Sequence, residues 1–198
     1  MPPSHLFKPF DRSYWVIPGM FLAGAFPGAK DPLDRDAKIE GLLDGGIRTI
    51  INLMELDETN HDDRPFEDYQ ERVSRIATSK GIVVNCRRFP IVDLNVPSVV
   101  HMQSILDAVT SSVAEERPVY VHCWGGIGRT GTVVGCFLMQ NGLACSENVL
   151  QVIADLRKHD SANHRSSPET KQQENFVKTW RDQIADTATG PDRGRIQG

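Results

Sequence analysis

The chain contains no apolar run approaching the ~20 residues that a membrane span needs. Its opening segment, Met1 to Asp11, holds prolines where a secretory signal would hold an apolar core. Both absences point to a cytoplasmic protein that does not engage membranes. Cysteine is scarce: Cys86, Cys123, Cys136 and Cys145 are the four present, and their spacing pairs none of them. That excludes a disulfide framework, and no cysteine joins the six histidines at zinc-binding spacing, so no metal is expected. Positive charge is in deficit, with 22 Lys and Arg against 26 Asp and Glu and a net charge of −4. A polyanionic partner such as nucleic acid is therefore not expected. There is no internal repeat. A chain of 198 residues can bury roughly 70% of its unfolded surface in one core. We expect a monomer with one domain over residues 1–185 and a flexible polar tail over 186–198, where apolar periodicity stops.

The chain does carry alternating strand and helix patterns. Strands are expected at Met20–Ala23, Ile47–Leu53, Ile82–Cys86 and Val119–His122. Helices are expected over Asp34–Asp44, Phe66–Lys80, a segment capped by Ser98, Arg129–Gln140, Glu147–His159 and Pro168–Ala185. This pattern predicts an α/β domain with a central, mostly parallel, twisted sheet of about four to five strands flanked by helices. Residues 1–12 are expected to lie over the surface, pinned by Phe7 and Phe10. The charged stretch Asp57–Arg64 reads as a mobile, solvated loop.

One decapeptide concentrates the chemistry: His122-Cys-Trp-Gly-Gly-Ile-Gly-Arg-Thr-Gly131. An apolar strand leads into it and a helix starts inside it. A strand, a tight glycine loop and a helix N-terminus turn successive backbone N–H groups toward one point, with the positive end of the helix dipole beneath. The result is a nest for a dianion built from Trp124, Gly125, Gly126, Ile127, Gly128 and Arg129, with the thiol of Cys123 at its floor. Such surroundings favour the nucleophilic thiolate. The planar fork of Arg129 suits two-pronged contact with phosphate oxygens. Thr130 is placed to hydrogen-bond the cysteine sulfur. His122 points the other way along its strand, so it is expected to order the loop and not to act as a base. Taken alone, the Cys-x5-Arg spacing is weak; the whole string, with its strand and helix context, is specific.

This loop resembles, without departure, the signature of the cysteine-based protein tyrosine phosphatase superfamily, in its dual-specificity-like and Cdc14-like branch. The resemblance implies a phosphocysteine intermediate, no metal or other cofactor, and an aspartate general acid on a separate upstream loop. Asp93, in Phe89-Pro-Ile-Val-Asp-Leu-Asn-Val-Pro-Ser98, fills that place, 30 residues before Cys123. An acid is needed because an alkoxide or phenoxide leaves poorly without a proton. Asp57, Glu58, Asp62 and Asp63 compete for the role on composition but read as solvated. A further stretch, Ser167-Pro-Glu-Thr-Lys-Gln-Gln-Glu174, is similar to the Glu-Thr-x-x-Gln segment of the branch. There, a glutamine can position the hydrolytic water. Gln173 is the candidate and Gln172 the runner-up; an ordinary helix start with exposed glutamines is the plain alternative.

The loop has no lysine among its variable positions, which weighs against polyanionic lipids. The expected substrate is a phosphomonoester on a protein, tyrosine above serine or threonine. A small phosphorylated metabolite or a lipid is the alternative. Two other classes stay open: a phosphate-binding module with little turnover, and another thiol enzyme such as an arsenate reductase or a sulfurtransferase. Cys86 raises one regulatory question, whether it could pair with Cys123 on oxidation.

Overall fold

In the computed structural model, residues 8–188 are described, apart from Lys30 and His61. Five strands form one sheet: β1 (Ser13–Ile17), β2 (Phe21–Gly24), β3 (Thr49–Asn52), β4 (Asn85–Arg88) and β5 (Val119–His122). Their order is β1-β2-β5-β3-β4. Only the β1–β2 hairpin is antiparallel; the other three pairings are parallel. The sheet is therefore mostly parallel, with a strand count inside the expected range.

Burial explains the central position of β5. Its four residues, Val-Tyr-Val-His, are all buried, as expected of a parallel strand covered on both faces. At the other extreme, β4 leaves Asn85 and Arg87 exposed, and charge on an outer strand discourages further pairing. One face is covered by α1 (Pro32–Asp44) and α2 (Gln70–Ser79), whose Ile39, Leu42, Leu43, Val73 and Ile76 pack with Leu22, Ile50 and Tyr120. The opposite face carries α3 (Val99–Ala114), α4 (Gly128–Gln140), α5 (Val149–Leu156), α6 (Lys171–Lys178) and α7 (Trp180–Ala188). Helix α4 lies at the centre of this layer, with all but its last residue buried.

Several helix ends follow from their caps. Asp31 accepts from the Leu33 N–H at 2.9 Å and Pro32 follows it, which starts α1 two residues before the expected Asp34. Ser98 caps α3 as expected, accepting from the His101 N–H at 3.2 Å. Thr170 and Gln173 form a reciprocal capping box that starts α6.

The structure differs from these expectations in further places. Strand β1 was not anticipated, because Ser13–Ile17 gains its partner only by folding back over the Pro18–Gly19 turn. Helix α2 begins at Gln70, since Phe66 turns instead into a ring cluster with Phe26 and Trp124. Strand β4 sits three residues later than expected, at the register where it can pair with β3. The helix expected over Glu147–His159 is the shorter α5. The single helix expected over Pro168–Ala185 is two, α6 and α7, meeting at Thr179. Helix α7 continues to Ala188, so residues 186–188 of the expected tail are helical, and 189–198 lie outside the described residues. Phe10 packs edge-on to Tyr120, with ring centres 6.0 Å apart; Phe7 lies outside the described residues. No helix among the described residues is long and apolar enough to cross a membrane.

Candidate active site

The parallel register brings Gly24, Asn52 and His122 level at the carboxyl ends of β2, β3 and β5. Loops leaving the carboxyl edge of a parallel sheet are where such folds gather their functional groups. The chain continues from His122 through Cys123 and the glycine loop into α4. Gly126 has φ +68°, and a Cβ there would lie 2.5 Å from the Gly24 carbonyl carbon, so glycine is required both for the turn and for the close approach.

Cys123 is almost fully buried. Its N–H donates to Thr130 Oγ1 at 2.9 Å, and that hydroxyl lies 3.1 Å from Cys123 Sγ, close enough to donate back to the sulfur. His122 is fully buried, and burial pushes its imidazole down to about 3, so the ring is neutral. Its Nδ1 sits 3.1 Å from the Cys123 carbonyl, which can only accept, so Nδ1 carries the proton. Nε2 is then the acceptor for the Tyr69 hydroxyl at 2.5 Å. His122 thus links the Cys123 carbonyl to the Tyr69 hydroxyl.

Arg129 is the most heavily engaged side chain. Its Nη1 and Nη2 donate to the two carboxylate oxygens of Glu58 at 2.6 and 2.7 Å, a fork-to-fork pair. Nη2 also lies 2.9 Å from Asp93 Oδ1, and Nη1 reaches the Ile91 carbonyl at 3.2 Å. Burial opposes its charge, but the Glu58 hydrogen bonds and the nearby Cys123 outweigh that and raise its pKa above the ordinary value. Nε is buried without a hydrogen-bond partner in the protein, which leaves one donor for an anion. The expectation that Glu58 is solvated is therefore corrected: its side chain is only 9% exposed and it grips the arginine. The sequence offered four acids in this loop and no means of choosing among them. The only hint was that the loop leaves the carboxyl end of the strand next to β5.

Asp93, Cys123 and the glycine loop line one recess of about 420 Å³, together with Leu94, Arg12, Arg165 and Glu169. Arg165 reaches the rim and pairs there with Glu169. Gln173 is fully buried, not exposed, while Gln172 is exposed. The Gln173 Oε1 accepts from the N–H groups of Glu169 and Thr170 at 3.1 and 3.2 Å. Its Nε2 donates to the Asn95 carbonyl at 3.0 Å, tying the start of α6 to the Asp93 loop. A Cβ added at Gly128 would meet this amide at 3.0 Å, so Gln173 stands directly beside the glycine loop.

Arg12 was missed altogether. Its Nη2 donates to the Gly125 carbonyl at 2.6 Å and its Nε to buried Asp160 at 3.0 Å. Because carbonyl and N–H point oppositely across a trans peptide, a carbonyl drawn to Arg12 turns the Gly126 N–H away from it. Asp160 is also held by Arg157, which donates to the carbonyls of Ala162 and Arg165 at 2.9 Å. No sequence signal marks Arg12, since it lies outside any motif and 113 residues from its partner. Cys86 does not meet Cys123. It stands level with Tyr120, two strands away, which puts the two Cα atoms on the order of 14 Å apart, about twice the reach of a disulfide. Burial also pushes its thiol up to about 11.

Residues 27–143, more than half of the chain, match the family described as a polymorphic toxin system DSP-PTPase phosphatase. Over 106 residues the chain is 34% identical to an Arabidopsis thaliana protein named phosphatidylinositol 3,4,5-trisphosphate 3-phosphatase and protein-tyrosine-phosphatase PTEN1; the match covers 52% of this chain and 24% of that one. Over 88 residues it is 36% identical to an uncharacterized protein of Methanocaldococcus jannaschii, covering 44% of this chain and 50% of the other. The chain thus spans about half or less of the length of these relatives. Among solved structures, PTPMT1 in complex with PI(5)P is similar at a TM-score of 0.64 and 21% identity, with 90% of this chain and 99% of that one covered. That likeness concerns the fold.

Proposed function

The chain belongs to the polymorphic toxin system DSP-PTPase phosphatase family, within the dual-specificity-like part of the cysteine-based protein tyrosine phosphatase superfamily, and from that premise we propose that Cys123 carries the phosphoryl group during hydrolysis of a phosphomonoester. The observation that supports this most is the shared recess: the sulfur, the glycine loop and Asp93 all line it, and Asp93 lies against the Arg129 fork.

In the first step the phosphate dianion settles on the loop N–H groups and on Arg129, displacing Asp93 from the guanidinium. The thiolate attacks phosphorus in line, so the S–P bond forms as the bond to the leaving oxygen breaks. Protonated Asp93 gives its proton to that oxygen. In the second step water attacks phosphorus and gives a proton to Asp93, and the S–P bond breaks. Thr130 donates to the departing sulfur, and Gln173, with one amide hydrogen on Asn95, has a second for the water. Charge on the equatorial oxygens meets donors already in place, the source of most of the expected rate gain. We take a phosphorylated protein as substrate, tyrosine foremost, since the loop carries no lysine for additional phosphates.

The test is hydrolysis of p-nitrophenyl phosphate across pH 4–9, for wild type and Cys123→Ser, with and without a chelator. Turnover that survives the chelator and falls by at least about 10⁴-fold in the variant is the expected result; comparable turnover by the variant would overturn the mechanism. Asp93→Asn is expected to slow poor leaving groups by about 10²–10⁴-fold. If it does not, the acid is the other carboxylate of the recess, Glu169.

A further inference from the structure

The recess around Cys123 is not the largest concavity on the protein. Beside it runs a groove of about 700 Å³ between the segment that follows β2 and the 60–67 loop. Three half-buried rings form its wall: Phe26 and Phe66, with centres 5.0 Å apart, and Trp124, 5.3 Å from Phe66. Trp124 lines both spaces, so the groove and the catalytic recess share one wall. Among the described residues the rim carries Asp62, Glu67 and Arg64, and Glu67 pairs with Arg35 at 2.7 Å.

We propose that this groove is a specificity subsite that receives an aromatic or large aliphatic side chain of a phosphopeptide, two positions from the phosphoresidue held over Cys123. The inference rests on the phosphatase reading above and names its substrate class. Three arguments favour that occupant. Continuity across Trp124 lets a molecule whose phosphate sits on the glycine loop extend its neighbouring atoms along this wall. In an extended peptide, side chains two positions apart share a face at about 6.6 Å, roughly the span of the intervening indole. Among the described residues the rim charges balance, since Glu67 pairs with Arg35, and no excess of cations is there to hold an anionic headgroup, which suits an apolar side chain.

Groove occupancy would also be felt at the catalytic arginine. The Phe66 N–H donates to the Glu58 carbonyl at 3.3 Å, and the Glu58 carboxylate holds Arg129. The loop that walls the groove is therefore the loop that fixes the guanidinium. A side chain that packs against Phe66 steadies both, so the preference should appear in kcat as well as in KM.

The experiment compares phosphotyrosine peptides identical except for Phe, Ala or Asp two positions before or after the phosphotyrosine. Ala29→Trp fills the groove, Phe66→Ser removes part of its wall, and p-nitrophenyl phosphate, too small to reach the groove, is the control. The wild type should prefer the best Phe peptide to its Asp counterpart by about tenfold in kcat/KM. Ala29→Trp should cut that preference to about twofold or less while its turnover of p-nitrophenyl phosphate stays within about twofold of wild type. A wild type that hydrolyses p-nitrophenyl phosphate but treats all the peptides alike overturns the subsite, as does a preference that survives in both variants. A short-chain phosphoinositide hydrolysed better than every peptide, with that advantage lost in Ala29→Trp, assigns the groove to lipid and overturns the peptide. Failure of the wild type on p-nitrophenyl phosphate counts against the phosphatase reading itself.

Discussion

At the scale of single residues, Glu58 and His122 show how a reactive loop is held by groups outside it. Glu58 spends both carboxylate oxygens on Arg129. Replacing it by Gln removes the charge and one acceptor but keeps the shape, so Arg129 should turn toward Asp93. We expect kcat/KM for p-nitrophenyl phosphate to fall by about 10²-fold, since small misplacements of a binding fork are costly, and steady-state kinetics reads this directly. His122 makes a prediction about stability. Its imidazole titrates near 3 in the fold, against an ordinary 6.5. Between those values the unfolded chain takes up a proton that the folded chain refuses. Stability should therefore fall as pH drops, by about 1.4 kcal/mol per pH unit from this residue. Urea unfolding of wild type and His122→Gln between pH 7 and 4 isolates that contribution: the variant should be less stable at pH 7 and show a shallower pH dependence.

At the scale of elements, the site is an assembly of loops held at fixed distances. The segment before β1 contributes Arg12 to Gly125, the Asp93 loop is tied through Asn95 to Gln173, and the loop after β3 carries Glu58. Arg12→Gln keeps a donor but loses the charge and the reach to both partners. It should raise KM for p-nitrophenyl phosphate by about five- to tenfold with a smaller change in kcat, because the Gly125–Gly126 peptide would no longer be held in one orientation. Equal loss in kcat and KM terms, or no loss, would mean that Arg12 only braces the surface. The elements themselves were partly legible. Helix α1 followed from its periodicity, α3 from its Ser98 cap and periodicity, and β5 from an apolar run ending at the motif. Strand β1 and the split between α6 and α7 were not: β1 is fixed by its hairpin pairing with β2, and Trp180, at the start of α7, by Gln140, which is remote in sequence.

At the scale of the whole molecule, α4 is the axis on which the site is mounted, and the helices behind it keep it in place. Trp180, fully buried, packs at a tilt against Phe176 with ring centres 5.7 Å apart and donates to Gln140 at 3.1 Å at the end of α4. Trp180→Ala should cost about 3–5 kcal/mol of stability, measured by chemical denaturation, while the folded fraction keeps its activity. The distinction matters for reading any variant of this protein. Changes behind α4 should lower the amount of folded protein, and changes at the loop ends should lower the rate per folded molecule.

The amino-acid order by itself determined the α/β class, the strand–glycine loop–helix unit and the set Cys123, Arg129 and Thr130. These groups are neighbours in the chain, and the loop's conformation follows from its own glycines and the helix that succeeds it. Asp93 and Gln173 became candidates through the resemblance of their flanking segments to the phosphatase superfamily. Only the tertiary structure decided that Glu58, among four acids, grips Arg129, that Arg12 reaches Gly125, that Tyr69 supports His122, and that Cys86 stands too far away to meet Cys123. These pairings join segments brought together by the sheet, Arg12 through the antiparallel β1–β2 hairpin and the others through the parallel order of β2, β5, β3 and β4. Register is set by burial over the whole sheet, and no local window of sequence contains it.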